Sequence, residues 1–514
     1  MRFLIFDLRF VIWFGVLATG MPLDAQQLTR AQIQQYGLDQ VPAALEMFHE
    51  YLSIPNDAQN RRDDMMRTAE WMNDAFLARG FETEWLNTPR LPVLLARRPS
   101  PGAQRTLLVY LQADGQPVDP SRWFQDDPYM PVLRERGADG EWHDIPWNRL
   151  EGNRDPEWRI FARSTSDSKG QNVKFLAAIS ALDRSGVTPD FNLKVVVDLE
   201  EEMGSPNLPA MVERYSDKLT ADMLVIFDGP RHPTNKPTLT FGARGISTIT
   251  LTTYGPRVPQ HSGHYGNWVP NPALRLAKLL ASMKDDEGRV TIPGFYDGIT
   301  IDATARAIME AVPDDTVAIK RQIGIVETDR VGRTLQEARQ YPSLNIRGLR
   351  AGWVGSESRT IVPGFAVAEI DVRLVRESDP ARLLGLIRQH VEDQGYFVID
   401  REPTDEERLT HPRIATFRSN TSYSAYRTEV DSEIGRWLSS AMVHLFGEEP
   451  IKLRTSGGSI PISPFVTTLG VPAVTVPTVN PDNNQHSPNE NIRLGNFEEG
   501  IQVILAILQQ PIGG

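Results

Sequence analysis

Not one of the 514 residues is a cysteine. That absence removes disulfide frameworks, thiolate zinc sites, iron–sulfur clusters and cysteine nucleophiles together, so any metal must sit on His, Asp, Glu or neutral oxygen ligands. Basic residues are in deficit as well: 54 Lys and Arg face 66 Asp and Glu, for a formal net charge of −12. A nucleic-acid or anionic-membrane surface would show a basic patch or stripe, which argues against either partner. There is no internal repeat and no low-complexity tract. The length suits one large domain or two to three ordinary ones.

The opening stretch MRFLIFDLRFVIWFGVLATGMPLDAQQ has a charged start (Arg2, Arg9), an apolar run from Phe10 to Leu17 and a small residue, Ala25, where a signal peptidase could cut. It is short of the roughly 20 apolar residues a membrane span needs. Residues 1–25 are expected to be a removable signal peptide, the protein periplasmic or secreted, with no stable membrane insertion.

Helical periodicity runs through 41–52 and 63–79, the latter stopped by Gly80. Apolar runs at 106–111, 193–197 and 223–227 then alternate with a helix over 171–184, the pattern of a largely parallel sheet covered by helices on both faces. After FGARG (241–245) the texture changes to alternating strands at 246–254, 365–375 and 396–400 and helices at 272–283 and 380–394. Alternation suits a sheet with one wet face, hence a smaller α+β domain. Buried patterns return with the helix 429–446 and the run 473–476. The expectation is an α/β catalytic domain in two parts, 26–245 and 421–514, interrupted by a lid and dimerisation domain at 246–420.

Ligands of open α/β sheets gather outside the carboxyl ends of the strands. The run ending at Leu111 delivers Gln112 and Asp114, the next delivers Glu200, Glu201 and Glu202, the third Asp228, and the last leads to His486. Asp167, in ARSTSDSKG, sits just before a helix. Singly these read as a solvated acidic run, a turn aspartate and a loop histidine. Together they bring at least five carboxylates to one imidazole, a cluster that needs a divalent cation or a pair of them. Carboxylates with His suit zinc or manganese in a hydrolytic site.

The motifs SDSKG, EEMGS, HSGHYGNWVPNP, GGSIP and QHSPNENI resemble the zinc-dependent exopeptidase and amidohydrolase family of carnosinase-type dipeptidases, carboxypeptidase G, acetylornithine deacetylase and succinyl-diaminopimelate desuccinylase. Thr360 in SRTIVP, Arg373 in IDVRLV and Ser459 in GGSIP resemble the carnosinase-type branch. The resemblance implies that Asp167 bridges two metals, that Glu202 and His486 complete one site, and that Asp228 serves the other. It makes Glu201 the general base and sends His261 of a homodimer partner to the oxyanion. Arg373 would hold a substrate carboxylate, with Thr360, Gly458 and Ser459 adding hydrogen bonds. The bond after Asp167 would be cis.

One position departs from the family pattern. Its first motif reads His-x-Asp, with the histidine a ligand and the aspartate orienting it; here it is Gln112-Ala113-Asp114. A carboxamide with carboxylates is a harder set that favours manganese or magnesium. Three outcomes are open: Gln112 ligates through its carbonyl, one ion serves at Asp167, Glu202 and His486, or the scaffold binds peptides without cleaving them. His143, in an insertion at 130–156, is a fourth source of a ligand, and a second insertion lies within 285–343. The leading expectation is a metal-dependent hydrolase that cleaves an amide next to a free carboxylate in dipeptides, short peptides or N-acyl amino acids.

Overall fold

The computed structural model describes residues 27–458 and 460–513. The expected signal segment and Ser459 lie outside the described residues.

The chain begins with a helix, Arg30–Leu52, closed at its start by a capping box between Thr29 and Gln32. It runs through Pro42, so the periodicity visible from residue 41 marks only its buried second half. The helix Arg62–Leu77 follows, and Gly80 takes φ +73° just beyond it. Eight strands then form the main sheet in the order Glu82–Leu86, Val93–Arg98, Phe191–Asp198, Arg105–Gln112, Met223–Ile226, Ala473–Thr475, Thr238–Thr240 and Ile451–Leu453. The four central strands, from Phe191–Asp198 to Ala473–Thr475, are mutually parallel, so their carboxyl ends share one edge. Antiparallel pairing is confined to the flanks.

Both faces of this sheet are covered. On one, Val109, Val195 and Val225 pack with residues of the helices Arg30–Leu52, Lys169–Ser185, Glu433–Phe446 and Leu494–Leu508. On the other, Tyr110, Val196 and Ile226 meet Leu208, Met211 and Phe465. Apolar residues facing both ways explain why these strands read as continuous hydrophobic runs.

A five-stranded sheet, ordered Ser343–Arg350, Phe365–Leu374, Gly245–Tyr254, Ile414–Tyr423 and Phe397–Ile399, has its own core. Burial alternates residue by residue along Gly245–Tyr254, as expected for one wet face. The helices Pro272–Ala281 and Pro380–Asp393 cover the dry face. Residues 130–156, read from sequence only as an insertion, contribute Val132–Arg136 and Trp142–Asp144 to a four-stranded sheet with Arg159–Phe161 and Asn491–Arg493. No helix among the described residues is long and apolar enough to cross a membrane.

Candidate active site

The carboxyl edge of the parallel strands carries the acidic cluster. Gln112 ends its strand, and its main-chain carbonyl accepts from Asn172 Nδ2 at 2.9 Å, tying the strand end to the neighbouring helix. Its side-chain Nε2 lies 3.4 Å from Asp167 Oδ1, while its Oε1 is buried with no hydrogen-bond partner. Asp114, fully buried, accepts the main-chain N–H of Glu201 at 3.1 Å and of Glu202 at 2.9 Å. The aspartate therefore fixes the one-turn helix Glu201–Met203 that aims both glutamates.

Asp167 sits on the loop before the helix Lys169–Ser185, and the Asp167–Ser168 peptide is cis. Gly170 is required here, because a Cβ would come within 2.1 Å of the Thr165 carbonyl oxygen. Ser168 Oγ donates toward Asp167 Oδ1 at 3.0 Å and Asp228 Oδ1 at 3.2 Å, which places the two aspartates together. His486, held at φ +60°, puts Nε2 2.9 Å from Asp167 Oδ2 and 3.4 Å from Glu202 Oε2. Ligand atoms of Asp167, Glu202 and His486 all lie within 4.8 Å of one another.

The electrostatics follow from crowding without a counter-charge. Burial, then Asp167 and Asp114, push Glu202 up to about 10, against a hydrogen bond from Gln116. Asp228 is raised to about 7 by burial and Asp167. Glu201 is pushed well above the carboxylate range by burial and by Glu202, Asp228, Asp167 and Asp114. Asp114 is raised by burial and Asp198, although three main-chain N–H groups oppose the shift. His486 moves up because Asp167 accepts from it. Such a set is at ease only around positive charge. The orphaned Gln112 oxygen and the convergence of Asp167, Glu202 and His486 fit a cation of the oxygen- and nitrogen-preferring kind.

One determinant escaped sequence reasoning. Glu490, fully buried, takes the N–H groups of Ser164, Ser166 and Asp167, the Ser166 hydroxyl and, at 2.7 Å, Arg163 Nη1. It shapes the loop that presents Asp167. Its only trace in the sequence is an acid inside NEN, four residues after His486. Gln116, which donates to Glu202 Oε2 at 2.8 Å, was missed too.

Of the remaining candidates only Arg373 lies on the five-stranded sheet; His261 belongs to a two-stranded ribbon, Gln260–His261 with Ile361–Val362, Thr360 sits just before that ribbon's second strand, and Gly458 is in the loop after Ile451–Leu453. His261 is exposed, accepts from Gly263 N at 3.1 Å, and pairs by backbone with Ile361, next to Thr360, whose carbonyl accepts from Ser262 N. Arg373 lies on Phe365–Leu374 with Nε 3.6 Å from Asp371 Oδ2. Gly458 is exposed, its N–H on Ser456 Oγ. Among the described residues no hydrogen bond or ion pair joins His261, Thr360 or Gly458 to the acidic cluster. His143 stands on an exposed hairpin 3.0 Å from Asp139 Oδ2, which accounts for it as an ordinary loop histidine.

Residues 132–510 match Peptidase family M20/M25/M40. The chain is 25% identical over 435 residues to the Cys-Gly metallodipeptidase dug1 of Schizosaccharomyces pombe, covering 82% of this chain and 83% of that protein. It is 26% identical over 431 residues to human Beta-Ala-His dipeptidase, covering 81% and 77%. Among solved structures it resembles the M20 family metallo-carboxypeptidase Sso-CP2 of Sulfolobus solfataricus, with 26% identity, TM-score 0.73 and coverage of 91% and 98%.

Proposed function

Since the chain belongs to peptidase family M20/M25/M40 and is a metal-dependent peptidase, we propose that it hydrolyses dipeptides, or short peptides and N-acyl amino acids ending in a free carboxylate. The relatives named as Cys-Gly and Beta-Ala-His dipeptidases support this substrate class. The observation that carries it is the placement of Glu201: it is held beside Glu202 by Asp114 yet is itself outside the Asp167–Glu202–His486 set.

Asp167, Glu202 and His486 would hold one ion, and Asp228 with Gln112 Oε1 would offer a second position. Zinc fits the first, and the harder second set favours manganese. Bound there, the metal supplies Lewis acidity and lowers the pKa of water. Glu201 removes a proton from the attacking water and returns it to the departing amine; its elevated proton affinity suits it to carry that proton. Arg373 holds the substrate carboxylate, with Thr360, Gly458 and Ser459 lending hydrogen bonds. His261, exposed and joined to the cluster by no hydrogen bond or ion pair among the described residues, suits service to the oxyanion in a second copy, making the active form a homodimer. The expected signal segment supports export to the periplasm or medium.

Glu201→Gln tests the central assignment. It should lower kcat on a dipeptide by about 10²–10⁴-fold while bound metal is retained. Wild-type turnover in that variant would refute the role of Glu201, and metal-loaded protein inert toward a broad dipeptide panel would refute the peptidase reading.

A further inference from the structure

Beside Arg373 the structure holds two guanidinium groups with no carboxylate in direct contact among the described residues. Arg244 bridges the strands Gly242–Ala243 and Gly245–Tyr254; its Nη2 donates to Tyr341 O at 2.7 Å, and its Nε is buried without a partner. Arg339 follows the short helix Leu335–Ala338 of the second insertion and approaches the Gly457 loop so closely that a Cβ on Gly457 would lie 3.3 Å from its Nε. Neither arginine forms an ion pair among the described residues.

The acids nearby are engaged elsewhere. Asp371 faces Arg373 at 3.6 Å and Asn345 at 2.8 Å. Asp314 faces His232 at 3.1 Å and Gln336 at 2.8 Å. Asp329 faces Lys284 at 3.8 Å. Burial weakens proton binding by both guanidinium groups; Arg373 and Arg339 add repulsion at Arg244, and with Asp371 offsetting only part of this it falls to about 10, while Asp314 offsets only part of the loss at Arg339. Two half-buried cations with no carboxylate in contact carry a standing cost that an arriving carboxylate would relieve.

Both line a cavity of about 300 Å³, together with Tyr341, Ser343, Gly457 and the paired Lys284 and Asp329. Ser343 is the register partner of Arg373 on the adjacent strand, so the cavity opens beside the group assigned to the substrate's α-carboxylate. Arg339 is fixed in place by the next residue. Gln340, 2% exposed, accepts from Arg454 Nη1 at 2.6 Å and Thr455 Oγ1 at 3.1 Å, and donates to Gln336 O.

We propose that Arg339 and Arg244 form a second anion subsite that receives the side-chain carboxylate of an acidic C-terminal residue, making the enzyme selective for peptides ending in Asp or Glu. This rests on the reading that Arg373 grips the α-carboxylate.

The test compares isosteric pairs, Ala-Glu with Ala-Gln and Ala-Asp with Ala-Asn, on metal-loaded protein. The acidic member should lead in kcat/KM by about tenfold or more, chiefly through KM, as bidentate charged contacts allow. Arg339→Gln should bring that ratio close to one, and Arg339→Lys should restore part of it. A wild-type ratio near one, or an Arg339→Gln variant that lowers both members equally, would overturn the subsite. If no peptide is cleaved, the peptidase reading falls alone, and calorimetry with L-glutamate against L-glutamine decides the subsite: tighter glutamate binding lost in Arg339→Gln supports it, and equal binding overturns it.

Discussion

Replacing Glu490 by glutamine changes one atom's chemistry and little volume, yet five hydrogen bonds converge on that carboxylate. A carboxamide keeps a single acceptor. Its best orientation gives the oxygen to Ser166 N, Ser166 Oγ and Asp167 N, the three donors on Oε1. The NH₂ group then meets Arg163 Nη1 and Ser164 N, both donors, where Oε2 had accepted at 2.7 and 3.0 Å. A charged hydrogen bond contributes about 1.5–3 kcal/mol and an unsatisfied buried amide costs about 1–3 kcal/mol. The sum, about 2.5–6 kcal/mol, brackets the roughly 3–5 kcal/mol usual for breaking a buried ion pair from one side. Urea unfolding should register that loss. Because the same carboxylate fixes the N–H of Asp167, metal titration by calorimetry should also show weakened binding. Adding Arg163→Met should recover part of the stability, since it removes the stranded charge. An unfolding midpoint and a metal affinity both equal to wild type would refute the argument that Glu490 organises the loop.

Gln112→His should raise bound metal toward two ions per chain, measured by elemental analysis after dialysis against zinc; unchanged stoichiometry would remove Gln112 as the cause of a weak second position. Metal uptake should release protons, because ligation needs ionised carboxylates while the metal-free site holds Glu202 up to about 10 and Asp228 up to about 7. Affinity should therefore rise with pH from about 6 to 8, and calorimetric enthalpies should depend on the buffer's ionisation heat. A saturating metal at 100 times its Kd should add about 2.7 kcal/mol of stability. Burial alone would raise Asp314, but hydrogen bonds from His232 and Gln336 outweigh it and hold the group below its ordinary value. Its contribution is then complete above the unfolded pKa, about 3.9, and is lost as pH falls through the lower folded value. Hydrogen-exchange protection factors in the segment 302–340, corrected for the intrinsic rate, should fall below pH 4 in wild type, and Asp314→Asn should show the lower protection already at pH 7.

Periodicity located most of the elements, because a buried parallel strand such as Arg105–Gln112 and an amphipathic helix such as Pro380–Asp393 carry their packing in their own side chains. The antiparallel strands Glu82–Leu86 and Val93–Arg98 were illegible. Their partners, unlike their residues, define them, and one is bounded by a Pro and Arg run that reads as a loop. Of the site, the acids at strand ends were readable from position alone. Glu490 was not, since its meaning lies in five donors contributed by residues more than 320 positions earlier. Nor was Arg339 notable, because only folding brings it to Gly457.

The order of strands in the main sheet also sets a schedule. Ala473–Thr475 lies between Met223–Ile226 and Thr238–Thr240, so a central place in the sheet stays vacant while the whole intervening segment is made. The five-stranded sheet has its own core and every one of its strands in hand by Tyr423. On the ribosome it is complete before the larger sheet can close. His486 and Glu490 follow later still, so the nascent chain carries its acidic cluster unfinished until nearly all of its length has emerged. A stop codon at position 470 would spare every strand of the smaller sheet while removing Ala473–Thr475, His486 and Glu490, and with them the metal site.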